Sequence, residues 1–346
     1  MRAATFHAPG DLRVGDIEEP TTGPRELKLR MHATATCGTD AKIFKHGHPR
    51  LEPPQVIGHE LAGEVVEVGA EVTGHTVGDR LQVIAAVPCG ECWACTSGAM
   101  TVCPNQTSMG YQYPGGFAEY MIVPEQVLKV DGVNVIPEGV SYAEASVTEP
   151  LACALNAQEL VHVGKDDVVV VMGAGPIGCL HVRLARSFGA SEVYLIDVNA
   201  GRLALSADRV HPEAAIDASS EDPVARVKEL TDGRGPNVVI TAAPAAIAQE
   251  QAIEMAAPQG RISFFGGLPK DDPYIKCDSN LVHYRELMLM GANGSSPDHN
   301  RRALDLIATG AVPVADLITH RLPLEQVQDA IDAVVSGEAI KVVVEP

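Results

Sequence analysis

No stretch of about 18 consecutive apolar residues occurs in the 346-residue sequence, the length a membrane-spanning helix needs. The opening residues, "MRAATFHAPGDLRVG", hold no apolar run behind Arg2, so no secretory signal is expected. Positive charge is scarce: 26 basic residues face 45 acidic ones, a formal net charge of −19. Nucleic acids and anionic membranes are bound by basic surface, so neither is the expected partner. No internal repeat or low-complexity segment stands out. What remains describes an ordinary soluble globular protein, 46% hydrophobic and 21% charged, with length enough for two domains. The expected compartment is the reducing cytoplasm, where clustered thiols are metal ligands more often than disulfides.

The patterning changes along the chain. In "ELKLRMHA" (26–33), Leu27, Leu29, Met31 and Ala33 share one face, and Lys28, Arg30 and His32 the other. That alternation predicts a strand with one buried side. "ELAGEVVEVG" (60–69) and "GDRLQVIA" (78–85) read similarly, so the first 150 residues are expected to be mainly β. From about Leu151 strands and helices alternate. "DVVVVM" (167–172), "EVYLID" (192–197), "AAID" (214–217), "NVVITA" (237–242), "GRISFFG" (260–266) and "ELMLMG" (286–291) are strand candidates, with helical patterns between them. That rhythm predicts an α/β domain with a doubly wound parallel sheet. The tail holds two helical patterns and a last strand, "IKVVVE".

Cysteine is sparse too, and half of the eight residues fall in one loop. Cys89-x2-Cys92-x2-Cys95-x7-Cys103 supplies four soft thiolates, a set suited to tetrahedral zinc closed to water and therefore structural. Iron–sulfur ligation is the rival, and zinc is preferred in view of the rest of the chain.

"VVVVMGAGPIGCL" places Gly173, Gly175 and Gly178, with Pro176 and Ile177, between a strand and a helix. Glycines there permit a tight turn and let the backbone approach a pyrophosphate at the helix N-terminus. The same pattern also serves a ligand-free turn. Asp197, at the end of the next strand, tips the balance: a carboxylate there accepts the adenosine ribose hydroxyls and repels a 2′-phosphate, favouring NAD over NADP. Arg202 is placed to pack on the adenine or, less favourably, to meet a 2′-phosphate.

A third set is scattered: Cys37 in "ATCGTDAK", His59 and Glu60 in "VIGHELAG", and Glu149 in "VTEPLACAL". Singly these are a small apolar residue, a structural histidine and loop charges. Together they form the ligand set of an open catalytic zinc.

"CGTD" at 37–40, "GHE" at 58–60, the four-cysteine loop, "TEPLA" and "GAGPIG" resemble the motifs of zinc-dependent medium-chain dehydrogenases/reductases over essentially the full chain. Glu149-Pro150 resembles the sorbitol (polyol) dehydrogenase branch, and threonine dehydrogenase-like members are close. The resemblance implies a GroES-like, mainly β catalytic domain (1–150 and 290–346) and an inserted Rossmann domain (151–289). It further implies one catalytic and one structural zinc, NAD as cofactor, and a homo-oligomer, dimer or tetramer. Cys37, His59 and either Glu60 or Glu149 would hold the catalytic zinc, and Thr39 matches the family's proton-relay hydroxyl. Lys42 stands where many relatives carry a relay histidine. It relays a proton only if its pKa is depressed; otherwise it is a solvated charge or meets a ribose or substrate oxygen. His46, His48, Arg50, the tyrosines of "MGYQYPGGFAEY" and Glu119 are candidate substrate contacts, or line loops or a subunit interface. The expected activity is oxidation of a secondary alcohol on a polyol, cyclitol or sugar derivative. The alternatives are a threonine 3-dehydrogenase-like or other alcohol dehydrogenase and, less favoured, a non-catalytic dinucleotide-binding protein.

Overall fold

The computed structural model describes Met1–Pro346. It forms two compact units, Met1–Ala152 with Gly294–Pro346, and Cys153–Asn293. No helix is long and apolar enough to cross a membrane.

In the first unit the strand Leu27–Ala35 is the hub of a seven-stranded sheet. It pairs antiparallel with Glu60–Val68, with Tyr120–Val123 and with the last strand, Lys341–Glu345. Arg80–Val83 and Val133–Val135 extend the sheet on one side, and Ile318–Pro323 on the other. Leu27, Leu29, Met31, Leu61, Val65, Leu81 and Val83 pack into one core on this sheet. Phe6, Ile43, Ile57, Phe117, Ile331 and Val344 form another. The register decides where chemistry can gather. Ala35 stands opposite Glu60, so the segment entering Cys37 meets the segment carrying His59 and Glu60. Thr36 N–H donates to Val342 O at 2.9 Å, which brings in the C-terminal strand.

The hub departs from simple alternation. Lys28, expected on the solvent face, is only 4% exposed. Its ammonium reaches out of the sheet to Glu19 and Glu67, so the aliphatic stem is covered while the charge is paired.

The second unit holds six parallel strands. Val168–Met172 pairs with Glu192–Asp197 on one side and Val238–Thr241 on the other. Ala214–Asp217 and then Arg261–Phe264 and Met288–Gly291 complete the sheet. In chain order this is 3-2-1-4-5-6. The winding reverses beside Val168–Met172, and the crevice beyond the carboxyl ends of strands at such a reversal is where doubly wound sheets bind ligands. Helices Pro176–Ser187, Ala200–Val210, Pro223–Leu230 and Ala246–Met255 make the crossovers. Val169, Val170 and Val171 are fully buried, as a strand covered on both faces requires.

Candidate active site

Cys37 caps the helix Gly38–His46, with its Sγ accepting Thr39 N–H. Asp40 closes the capping box by accepting Cys37 N–H at 2.9 Å. The other oxygen of the Asp40 carboxylate lies 3.4 Å from His59 Nδ1. That leaves His59 Nε2 facing Cys37 Sγ, 3.3 Å away. An oxygen of Glu60 completes a group whose donor atoms all lie within 4.8 Å of one another. Thiol, imidazole and carboxylate converging from two paired segments fit a zinc site with room for a further ligand. A carboxylate behind the imidazole is the usual support for such a histidine.

The electrostatics agree. Burial alone would lower the His59 pKa, yet the neighbouring Cys37 and Asp40 outweigh it and hold it well above the ordinary value. A site that draws a proton onto a fully buried imidazole is one whose field favours a cation. Burial pushes Glu60 up to about 7, Glu149 adds to the rise, and Lys341 and His59 oppose it. Lys341 pairs with Glu60 and also donates to Thr36 O at 2.8 Å.

The four-cysteine loop forms a separate cluster. Its Sγ···Sγ separations are 3.6, 3.6, 3.7 and 3.9 Å. Zinc–sulfur bonds arranged tetrahedrally give an edge of ~3.8 Å. The space suits one ion and is too small for a multi-iron core. Backbone N–H groups of Glu91 and Cys92 pull the Cys89 thiol down to about 6, whereas burial pushes Cys95 up to about 12, so full ionisation calls for a cation among the sulfurs.

In the second unit, the three glycines differ in what holds them. Gly173 has φ +116°, and a Cβ on Gly178 would lie 1.8 Å from Gly173 O. Gly175 has ordinary dihedrals, φ −75° and ψ −175°, and a Cβ there would meet nothing within 4 Å. Packing and backbone conformation explain two of the glycines; at the third the space beside the backbone is open. The helix that follows has no side-chain cap, so its first N–H groups are available to an anion. Asp197 accepts Ala174 N–H at 2.7 Å and Asn199 N–H at 2.8 Å. Arg202 meets the same two oxygens at 3.1 and 2.8 Å. Burial works against the charge of Asp197, but Arg202 and the two N–H groups hold its pKa below the ordinary value.

Similarity to known proteins extends over both units. A family model for the alcohol dehydrogenase GroES-like domain matches residues 23–132, and one for zinc-binding dehydrogenases matches 176–309. A sorbitol dehydrogenase from Halalkalibacterium halodurans is 34% identical over 99% of this chain and 98% of its own length. The D-arabitol-phosphate dehydrogenase of Enterococcus avium is 31% identical over 100% and 97%. This chain is a zinc-binding medium-chain dehydrogenase/reductase of the polyol dehydrogenase branch. The L-threonine 3-dehydrogenase of Pyrococcus furiosus is 33% identical, covering 95% of this chain and 93% of its own. The fold matches a structure from Sinorhizobium meliloti 1021, assigned as a zinc-binding dehydrogenase and bound to NADP. The TM-score is 0.92 at 31% identity, over 100% and 99% of the two chains.

Within this dehydrogenase, the remaining sequence candidates fall at different depths. Glu149 lies in the first turn of the helix Thr148–Leu160. Its charge acts on Glu60, but it is not one of the three donors within 4.8 Å. Thr39 is partly exposed two residues after Cys37, and Lys42 is exposed on the same helix. Glu119 supports backbone, accepting Arg2 N–H at 2.8 Å. Tyr111 lies beside His59 with ring centroids 6.3 Å apart, and burial pushes its phenol up to about 12. Two residues went unassigned on sequence grounds. Asp40 carries a signal, a carboxylate three residues after a capping position. Lys341 carries a fainter one, a lysine opening a strand whose next three residues are valines.

Proposed function

We propose that the chain is a zinc-dependent oxidoreductase moving a hydride between NAD and a secondary alcohol of a polyol, cyclitol or sugar derivative, with a ketone as product. The observation that carries this reading is the convergence of Cys37, His59 and Glu60 donor atoms within 4.8 Å, supported by Asp40. When bound, zinc supplies Lewis acidity toward a hydroxyl oxygen and the nicotinamide a hydride acceptor. We assign the third donor to Glu60, since Glu149 stands outside that group; Glu149 adds negative charge behind it. Asp40 fixes the His59 tautomer so that Nε2 faces the donors. The Thr39 hydroxyl, next to Cys37, carries the released proton outward. Lys42 is a solvated charge in this scheme, available to a substrate or ribose oxygen. Cys89, Cys92, Cys95 and Cys103 hold a second, structural zinc.

Gly173, Gly175, Pro176, Ile177 and Gly178 form the pyrophosphate turn, and the Asp197 carboxylate favours NAD over NADP. Both Asp197 oxygens are already engaged, so the Arg202 guanidinium yields its place when the ribose hydroxyls bind. The strand Met288–Gly291 ends the parallel sheet with one side unpaired and Met288 41% exposed. This supports a homo-oligomer, dimer or tetramer, because open edges seek partners. The reducing cytoplasm suits the clustered thiols.

A second reading, oxidation of threonine to the 2-amino-ketone, is favoured by the 33% identity to threonine 3-dehydrogenase. The deciding experiment follows NADH and NADPH formation by the zinc-loaded protein on linear polyols, cyclitols, sugar phosphates, threonine and simple alcohols. An NAD-linked rate on a polyol or cyclitol supports the first reading. Turnover of threonine alone supports the second, and silence across the panel removes both.

A further inference from the structure

The site beside His59 continues into an aromatic floor that ends at an uncommitted cation. The Tyr111 ring lies 6.3 Å from the His59 ring. His48 packs edge-on against the same ring, 4.7 Å between centroids. On this ring also rests the Arg50 guanidinium, its carbon 5.8 Å from the centroid. Gln55 Nε2 donates to the Tyr111 carbonyl at 2.9 Å, and Arg50 N–H to His48 Nδ1 at 3.2 Å, so platform and cation are tied to their own loops.

Arg50 is exposed and, with Arg30, Arg80, Arg234 and Arg285, is among the arginines of this acidic chain that meet no carboxylate; of these it is the one on the Tyr111 ring beside His59. Arg13, Arg186, Arg202, Arg226, Arg261 and Arg301 each meet a carboxylate. Arg50 meets none: its side chain has one hydrogen bond, Nη1 to Gln106 O at 3.3 Å. A guanidinium carries five N–H donors, so most of its fork is unused. Tyr111, pushed up to about 12 by burial, keeps its proton at neutral pH and does not neutralise Arg50. A net charge of −19 offers many carboxylates that local packing has not brought here.

We infer that Arg50, on the Tyr111–His48 platform, binds an anionic substituent of the substrate, and that the enzyme prefers an alcohol bearing a phosphate or carboxylate over its neutral counterpart. The planar fork matches either oxyanion in bidentate fashion. The inference rests on the reading that Cys37, His59 and Glu60 mark the place of the reacting hydroxyl.

The test uses the full-length, zinc-loaded protein and matched pairs: D-arabitol 5-phosphate with D-arabitol, and L-threonine with L-threoninol. Wild type is expected to prefer the anionic member of one pair by at least tenfold in kcat/KM. Which pair responds tells phosphate from carboxylate. Arg50→Ala is expected to lower that preference at least tenfold, mainly through KM, and Arg50→Lys to restore part of it. Calorimetric binding of D-arabitol 5-phosphate and of L-threonine to wild type and Arg50→Ala reads the same contact without turnover. A tenfold weaker affinity for one of them in the variant supports the inference. Equal preference within both pairs, or unchanged affinity for both anions in Arg50→Ala, overturns it. Failure of the hydride-transfer reading looks different: anion binding that depends on Arg50, with no alcohol oxidised.

Discussion

Lys341 and Glu60 form an ion pair that water barely reaches, with side chains 2% and 1% exposed. Removing one partner of such a pair strands the other charge, at a typical cost of about 3–5 kcal/mol. Lys341→Met should therefore lower the urea midpoint substantially and push the Glu60 pKa further up. The double variant Lys341→Met/Glu60→Gln should be less destabilised than the two single losses combined. Simple additivity across the cycle would show that the two residues are not coupled. Zinc content measured on the same samples tells whether Lys341 also holds Glu60 in place for the metal.

The sole tryptophan, Trp93, lies between two of the clustered cysteines and is 69% exposed. Its emission therefore reports on that lobe and on nothing else in the chain. Cys92→Ala should shift the emission, lower thermal stability and remove one zinc of two, because metal binding at such a site is folding energy. Cys37→Ala should abolish turnover and remove the other zinc while leaving the Trp93 spectrum and the melting temperature nearly unchanged. A stable Cys92→Ala protein with an unchanged spectrum and a specific loss of turnover would reverse the roles assigned to the two sites.

The two halves of the chain differ in how openly their sequence speaks. The glycine turn proposed for the dinucleotide is local: Gly173, Gly175 and Gly178 are neighbours, and Asp197 lies one helix and one strand further on. The strand–helix alternation likewise points to a parallel sheet. The donor set is not local. Cys37 and His59 meet because Ala35 pairs with Glu60, a register that alternating hydrophobicity does not specify. Their donor chemistry and the resemblance to a family grouped them beforehand, not the pattern of the strands. Lys341 reaches Glu60 from the far end of the chain through the pairing of Val343 with Ala35. The burial of Lys28 depends on Glu19 and Glu67, brought to it by the folded sheet, whereas Arg202 and Asp197 are near in sequence and their pairing is set by the local turn from strand to helix.

Acid sensitivity between pH 7 and 4.5 should have an identifiable source in the second unit. His181 is fully buried in the helix Pro176–Ser187, with Nδ1 3.1 Å from Gln158 Nε2 and its ring edge-on to Phe265. Burial pushes its pKa down to about 3, whereas an unfolded histidine titrates near ~6.5. Between those values the unfolded chain holds a proton that the folded chain refuses. The stability tied to neutral His181 is present above pH ~6.5 and is lost as the pH falls toward 3, by up to ~1.4 kcal/mol per pH unit. His181→Leu should flatten this part of the acid limb. Urea midpoints at pH 7, 5.5 and 4.5 give the comparison, and parallel slopes for wild type and variant would assign the acid loss to other groups.

Two glycines that the sequence pattern treats alike should respond in opposite ways to one added methyl. At Gly178 a Cβ lands 1.8 Å from Gly173 O, against backbone that has no room to move. Gly178→Ala should therefore misfold or melt far below wild type, whatever the ligand. At Gly175 the dihedrals suit any residue and the Cβ meets nothing within 4 Å. Gly175→Ala should keep the wild-type melting temperature, and even gain a few tenths of a kcal/mol from a stiffer unfolded chain. Its methyl would nevertheless occupy the space where a pyrophosphate approaches the backbone. NADH titration by fluorescence should show affinity reduced at least tenfold in Gly175→Ala. Full retention of NADH affinity by that variant would mean the turn keeps its second glycine for a reason other than the dinucleotide.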